Sequence, residues 1–465
     1  MPTSLLFART VAIIGASDDP ETINGRLMGM LSSYGYQGAV YPVNPGRRTV
    51  QGTPAYPTVR DVPAPVDVAL VAVRAERVPE VLRDCAEVGV GSAVILSSGF
   101  GEGSGQGADL AEEIRELMTK TAMRVVGPNC EGVVSMTNAM PLTFSPAVDP
   151  NRGGRRIAAG NVAVISQSGG LAFAVAQWGT DIGLGFSSIV TTGNEIDLDV
   201  LEVAEQVVED PATRIVALVY EELSSPRGLT RLVERTGELG KRVVGVSLGR
   251  SEAGARAARA HTLHRTARQE SGQAASPHPD GILLTDDAQQ LVDVVQALAK
   301  TSPLRGRRVG IVTTSGGAGV WLADACQTAG FDVPELSDGT RSVLAEQLPG
   351  FGSPANPVDL TAQFLFSGGR FVSVLAPLLE SGEVDAAVLV TSLGSPGRME
   401  RNRDDLSALT RVARLPLLVY SYTLPAPSQV EVLNDLRLPW YVTTRGVANA
   451  LEALAWAGGQ AADGG

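Results

Sequence analysis

Histidine and cysteine are scarce: the chain has three of each among 465 residues. Cys85, Cys130 and Cys326 are odd in number and far apart, which argues against a disulfide scaffold and fits a reducing compartment, so a cytoplasmic location is expected. No Cys/His spacing suggests a metal site. Positive charge is also short, with a net charge of −12, and an acidic chain is not expected to bind nucleic acid. No apolar run approaches the roughly 20 residues of a membrane span, and MPTSLLFART at the start does not read as a signal peptide. The turn in VAIIGASDDP (11–20) carries only Gly15, without G-x-G-x-x-G, which counts against a nicotinamide-dependent oxidoreductase. There is no G-x-S-x-G elbow either. Ser168 in SQSGG reads as a helix cap or phosphate ligand, not as a hydrolase nucleophile.

Buried-strand signals, by contrast, fill the chain. Short Val/Ile/Ala runs such as VDVALVAV (66–73), NVAVIS (161–166), RIVALVY (214–220) and DAAVLVTS (385–392) alternate with amphipathic stretches such as ERVPEVLRDCAEVG (76–89). Continuous apolar runs are what strands covered on both faces look like. Strand–helix alternation over the whole length predicts an α/β protein of three parallel-sheet domains. Polar seams at 149–160 and 299–308 divide it into 1–148, 158–300 and 305–458. The second and third domains open alike. NVAVISQSGGLAFAVAQWG (161–179) and, about 147 residues later, RRVGIVTTSGGAGVWLADA (307–325) are each a strand, a Ser-Gly-Gly turn and a helix. Bare backbone N–H groups at a helix start can hold a phosphate or carboxylate. The alternative is that the glycines only let helix and strand pack closely.

In the first domain, GAS (15–17), YPVNP (41–45), SSGFGE (97–102) and GPNCEG (127–132) each follow an apolar run, so they line one rim of a sheet. In this order and spacing they resemble the CoA-binding domain of the NDP-forming acyl-CoA synthetases, relatives of the succinyl-CoA synthetase α subunit. SQSGG (166–170), TTGNEIDLDV (191–200) and GRSEAGARAA (249–258) followed by His261 continue the resemblance, as do TTSGGAGV (313–320) and NPVDLT (356–361).

The resemblance implies a Rossmann-like CoA-binding domain followed by two flavodoxin-like succinyl-CoA synthetase domains. It implies CoA contacts from Gly15, Ser17, Val43, Asn44, Pro45, Ser97, Ser98 and Gly99, with Asn129 at the thioester end. Ser168, Gly169 and Gly170 would form one phosphate-binding helix start, and Gly316, Gly317 and Ala318 a second. His261 would be the phosphorylated histidine and Glu221 the carboxylate that orients it. The implied reaction joins a small carboxylic acid to CoA through an acyl phosphate and a phosphohistidine. ATP/ADP and Mg are expected on a separate ATP-grasp β subunit, in an oligomer. The acyl group is not legible.

The histidine loop departs from the pattern. In AHTLHRTARQESGQAASPHPDG (260–281), Ala260 stands for the family's serine and Leu263 for its glycine, and bulky His264 and Arg265 follow. Ser247 stands where many members have lysine. These changes keep a second reading open, a CoA-binding protein without phosphoryl transfer. His264 reads as a solvated neighbour and His278 as a turn residue.

Overall fold

A computed structural model describes residues 4–101, 105–261, 281–366 and 368–463. Among the described residues, three main sheets hold the chain together. The strands of the first stretch are β1 (Thr10–Ile14), β2 (Ala39–Val43), a small hairpin of β3 (Thr49–Val50) and β4 (Thr53–Pro54), then β5 (Val68–Val71), β6 (Ser92–Ile95) and β7 (Arg124–Val126). They form a parallel sheet in the order β2-β1-β5-β6-β7, with the hairpin apart. Next come β8 (Gly132–Ser135), β9 (Met140–Thr143), β10 (Ala159–Ser166), β11 (Phe186–Thr191), β12 (Ile215–Tyr220), β13 (Arg242–Ser247) and β14 (Ile282–Thr285), in the order β14-β13-β12-β10-β11-β8-β9. The last sheet contains β15 (Val309–Thr313), β16 (Val358–Asp359), β17 (Ala386–Thr391), β18 (Leu417–Ser421) and β19 (Trp440–Tyr441), in the order β16-β15-β17-β18-β19.

The parallel part of each sheet has the same winding. Its first strand lies between the second and third, which is the doubly wound 2-1-3-4-5 order. Residues on β5, β6, β11, β12 and β17 are buried throughout, as expected when helices cover both faces. The chain divides into two compact units, Met1–Thr180 with Leu184–Ala288, and Asp181–Gly183 with Gln289–Gly465. The helix Ala288–Lys300 thus falls almost wholly in the second unit, where Gln296 exchanges two hydrogen bonds with the backbone of Trp440.

Within the first unit the two sheets share a core. Val11, Leu70 and Val126 of the first sheet belong to one buried cluster with Ile165, Val190 and Val216 of the second. The connection is the β8–β9 hairpin. It lies inside the stretch 1–148, yet β8 pairs antiparallel with β11 of the second sheet. Leu27 and Leu31 on the helix Ile23–Tyr34 pack into the same cluster as Met140 and Leu142 of β9. Residues 127–131 therefore cross from one sheet to the other. The loop after β11 is stitched along that crossing: Asn194 N donates to Pro128 O, Ile196 N to Gly127 O and Leu198 N to Val125 O. Asp197 accepts from both Val125 N and the Arg124 guanidinium.

Candidate functional site

Ligands of doubly wound sheets bind beyond the strands' C-terminal ends, where the strand order reverses. In the first sheet that point lies between β1 and β5. Gly15, just past β1, has φ +91°, and a Cβ there would stand 2.4 Å from Ala72 O beyond β5. The sequence turns here because glycine allows both the left-handed backbone and the close approach. Asn24 Nδ2 ties the two loops by donating to Gly15 O and Ala72 O. In the second sheet the reversal lies between β10 and β12. Past these strands come the Ser168-Gly169-Gly170 turn and Glu221.

A cavity of about 1390 Å³ joins the two edges, all within the first unit. Its lining includes Gly15, Ser97, Ser98, Gly99 and Asn129 from the first sheet, with Ser168, Gly169, Gly170 and Glu221 from the second. Asn129 sits at the crossing with φ +57°, a conformation asparagine tolerates. Its N–H donates to Ser97 O, and its side-chain amide donates to Asn194 Oδ1. Ser17, Val43, Asn44 and Pro45 are outside the lining. The Val43 side chain is buried in the core, and its carbonyl accepts from Gly15 N. Asn44 donates to Ala16 O and accepts from Gly46 N, so both ends of its amide shape the loop.

The turn after β10 is held by its own hydroxyl. Ser168 N donates to Ser166 Oγ, which donates to Ser168 O. Here the two roles of glycine separate. A Cβ on Gly169 would stand 2.7 Å from Glu131 Cβ and 2.9 Å from Glu131 Oε2, so this glycine is needed for packing. A Cβ on Gly170 would meet no described atom within 4 Å beyond its chain neighbours and its own helix backbone, so packing gives no reason for this glycine, and the space beside it at the start of the helix Gly169–Asp181 is open.

Two groups went unnoticed in the sequence. Gln167, inside SQSGG, is 4% exposed and makes four hydrogen bonds. Its Oε1 accepts from Glu221 N (2.6 Å) and Glu222 N (3.2 Å), and its Nε2 donates to Glu195 Oε2 (2.9 Å) and Glu222 O (2.7 Å). It fixes the backbone that carries Glu221. Behind it, Glu195 also accepts from Thr192 Oγ1 and Val200 N, and burial pushes its carboxyl up to about 7 against these donors. The second group is Glu131, a cavity-lining carboxylate that burial raises from its ordinary value, countered by a hydrogen bond from Ser145. The basic residues of the lining are Arg74 and Arg77, past β5.

His261 is the last residue of the helix Glu252–His261, which follows β13. Its side chain, with His264 and His278, lies outside the described residues. Gly316, Gly317 and Ala318 belong to the second unit, where they open the helix Gly316–Thr328. Among the described residues, no group of three or more His, Cys, Asp or Glu could hold a metal ion, and no helix is long and apolar enough to cross a membrane.

One cavity is thus lined by strand-end loops of two doubly wound sheets, by the start of the helix Gly169–Asp181 and by the carboxylates Glu131 and Glu221. The chain belongs to the NDP-forming acyl-CoA synthetases, a family of acid–thiol ligases. A CoA-binding domain matches residues 9–136, a succinyl-CoA ligase-like flavodoxin domain 159–298, and a ligase-CoA domain 309–369. The α subunit of ADP-forming acetate–CoA ligase II of Pyrococcus furiosus is 31% identical over 453 residues, covering 96% of this chain and 95% of that one. ADP-forming acetate–CoA ligase I of Archaeoglobus fulgidus is 33% identical over 396 residues, and the match spans 55% of that longer protein. Among solved structures, the dinucleotide-forming acetyl-coenzyme A synthetase 1 of Ca. Korarchaeum cryptofilum, in complex with phosphate and ADP, matches at TM-score 0.83 and 29% identity, over 99% of this chain and 98% of that one.

Proposed function

We propose that this chain is the CoA-binding, phosphoryl-relaying part of an ADP-forming carboxylate–CoA ligase, working in the cytoplasm with an ATP-grasp partner in an oligomer. The observation that carries this reading is the shared cavity, which residues from three of the four rim motifs line together with the Ser-Gly-Gly helix start. CoA would enter along Gly15, Ser97–Gly99 and Asn129, with Arg74 and Arg77 available to its phosphates. The phosphoryl group would rest on the N–H groups at Gly169 and Gly170, where the helix dipole favours negative charge. In the degradative direction, phosphate attacks the thioester carbonyl, the C–S bond breaks, and acyl phosphate and CoA form. A nitrogen of His261 then attacks phosphorus, and the carboxylate leaves. Glu221, fixed through Gln167, would accept from the other ring nitrogen and stabilise the imidazolium. Finally the phosphohistidine passes its phosphoryl group to ADP, held with Mg on the partner. Because the charge is spread over the transferring group, positioning and backbone dipoles supply most of the catalysis.

Intact-protein mass spectrometry at mildly basic pH tests this. Incubation with acetyl phosphate should add one phosphoryl group to the wild type and none to His261→Ala. CoA binding with no phosphoryl increment would favour the second reading, to which Ala260 and Leu263 in the histidine loop point.

A further inference from the structure

The proposed reaction includes a proton transfer with no assigned carrier. When CoA attacks an acyl phosphate, the S–C bond forms and the C–O bond to phosphate breaks, while the thiol proton must leave sulfur. We propose that Glu131 is the general base of this step. It takes the thiol proton as sulfur attacks and passes it to the departing phosphate; in reverse, it protonates the leaving thiolate. The proposal rests on the functional reading above.

Position carries the argument. Glu131 ends the crossing between the two sheets, two residues after Asn129 at the expected thioester end. Its side chain packs against Gly169, with Oε2 2.9 Å from where a Cβ would stand. Sulfur delivered past Asn129 and an acyl phosphate held at the helix start must meet between these residues, and Glu131 lines the cavity there. Its backbone is held on both sides: its N–H donates to Thr191 Oγ1, and its carbonyl accepts from Thr143 Oγ1.

The other titratable groups of the lining fit the role less well. The Cys130 thiol is buried, donates to Ile95 O and is pushed up to about 12. Glu76 is exposed, Arg74 and Arg77 are cations, and Glu221 is assigned to the histidine. Glu195 lies behind Gln167. Burial raises the Glu131 carboxyl above its ordinary value, and a more basic carboxylate is a better proton acceptor.

The full-length chain can be assayed without nucleotide, by following thioester formation from acetyl phosphate and CoA between pH 6 and 9, with CoA affinity measured by calorimetry. Glu131→Gln should lower kcat about a hundredfold near neutral pH and leave KM and Kd for CoA unchanged. The deficit should shrink about tenfold per pH unit toward the thiol's own pKa of about 8.5, since thiolate needs no base. Glu131→Asp should retain part of the rate, with its acid limb displaced. A Gln variant with the wild-type rate, or with a deficit constant across pH, overturns the proposal. If the Gln variant fails to fold by circular dichroism, an Asp variant with an unmoved pH profile overturns it. A wild-type chain that does not bind CoA would instead overturn the functional reading on which the proposal rests.

Discussion

The chain builds the same turn twice and surrounds it differently. At 166–170 and 313–317 the construction agrees closely. Ser168 N donates to Ser166 Oγ at 3.0 Å, and Ser315 N donates to Thr313 Oγ1 at 3.0 Å. Each hydroxyl donates back at 2.7 Å. In each turn the first glycine faces a carboxylate, Glu131 beside Gly169 and Asp359 beside Gly316, while a Cβ on the second would point into open space. The helices that follow then diverge. Phe173 is 1% exposed in the first unit, whereas Val320, at the matching position, is 57% exposed and Trp321 beside it 69%. The first turn opens into the shared cavity. The second begins a helix with an apolar surface left uncovered. A repeated backbone device therefore opens two helices in the same way, and the neighbouring side chains make their surroundings differ.

The largest expected effect separates the two turns. Gly170→Val should fold, because a Cβ there meets nothing, yet it should lower thioester formation from acetyl phosphate about a hundredfold, the scale of losing an oxyanion donor. Gly317→Val meets the same open space. If both substitutions are equally damaging in that assay, the loss is not particular to the first turn. If only Gly170→Val is damaging, the first turn works alone in this step. A Gly170→Val chain that binds acetyl phosphate and reacts like the wild type would return both glycines to a packing role.

A smaller effect should distinguish the residues inside the turns. Gln167 is a buried centre of four hydrogen bonds, whereas Thr314 at the matching position is buried with only weak side-chain contacts, 3.5 Å to Val390 O and 3.3 Å to Thr391 Oγ1. Gln167→Leu strands the N–H groups of Glu221 and Glu222 and should cost roughly 1–3 kcal/mol in urea denaturation, while Thr314→Val should cost under about 1 kcal/mol. Equal costs would mean that the polar centre behind Glu221 adds nothing particular to the first turn.

The sequence made the rim legible because each loop motif follows an apolar run, and strand ends must gather on one edge of a parallel sheet. The twin Ser-Gly-Gly turns were legible for the same reason. The partners around them were not. Glu131 looks like a spacer in GPNCEG until the crossing sets it against Gly169. Gln167 looks like a linker until four groups some 28 to 55 residues away converge on it. No boundary signal marks β8 and β9, whose place in the second sheet comes from pairing with β11. Val43 sits inside a rim motif, but strand alternation turns its side chain into the core.

The smallest expected effect contrasts the two units through their buried ionisable groups. Glu195, in the first unit, is raised from 4.5 to about 7, and Lys300, in the second, is lowered from 10.5 to about 7, its ammonium held by the carbonyls of Ile182 and Leu438 and by Asn434 Oδ1. Between pH 4.5 and 7 the native state keeps a proton on Glu195 that the unfolded chain has lost, so this group's contribution declines as pH rises through the window. Between pH 7 and 10.5 the unfolded chain holds a proton on Lys300 that the native state has lost, so stability gains with pH there. Each group changes the slope by less than about 1.4 kcal/mol per pH unit. Urea midpoints measured from pH 5 to 10 should show Glu195→Gln flattening the acid side alone and Lys300→Met the alkaline side alone. If either substitution alters the opposite limb, the two sites are not titrating independently.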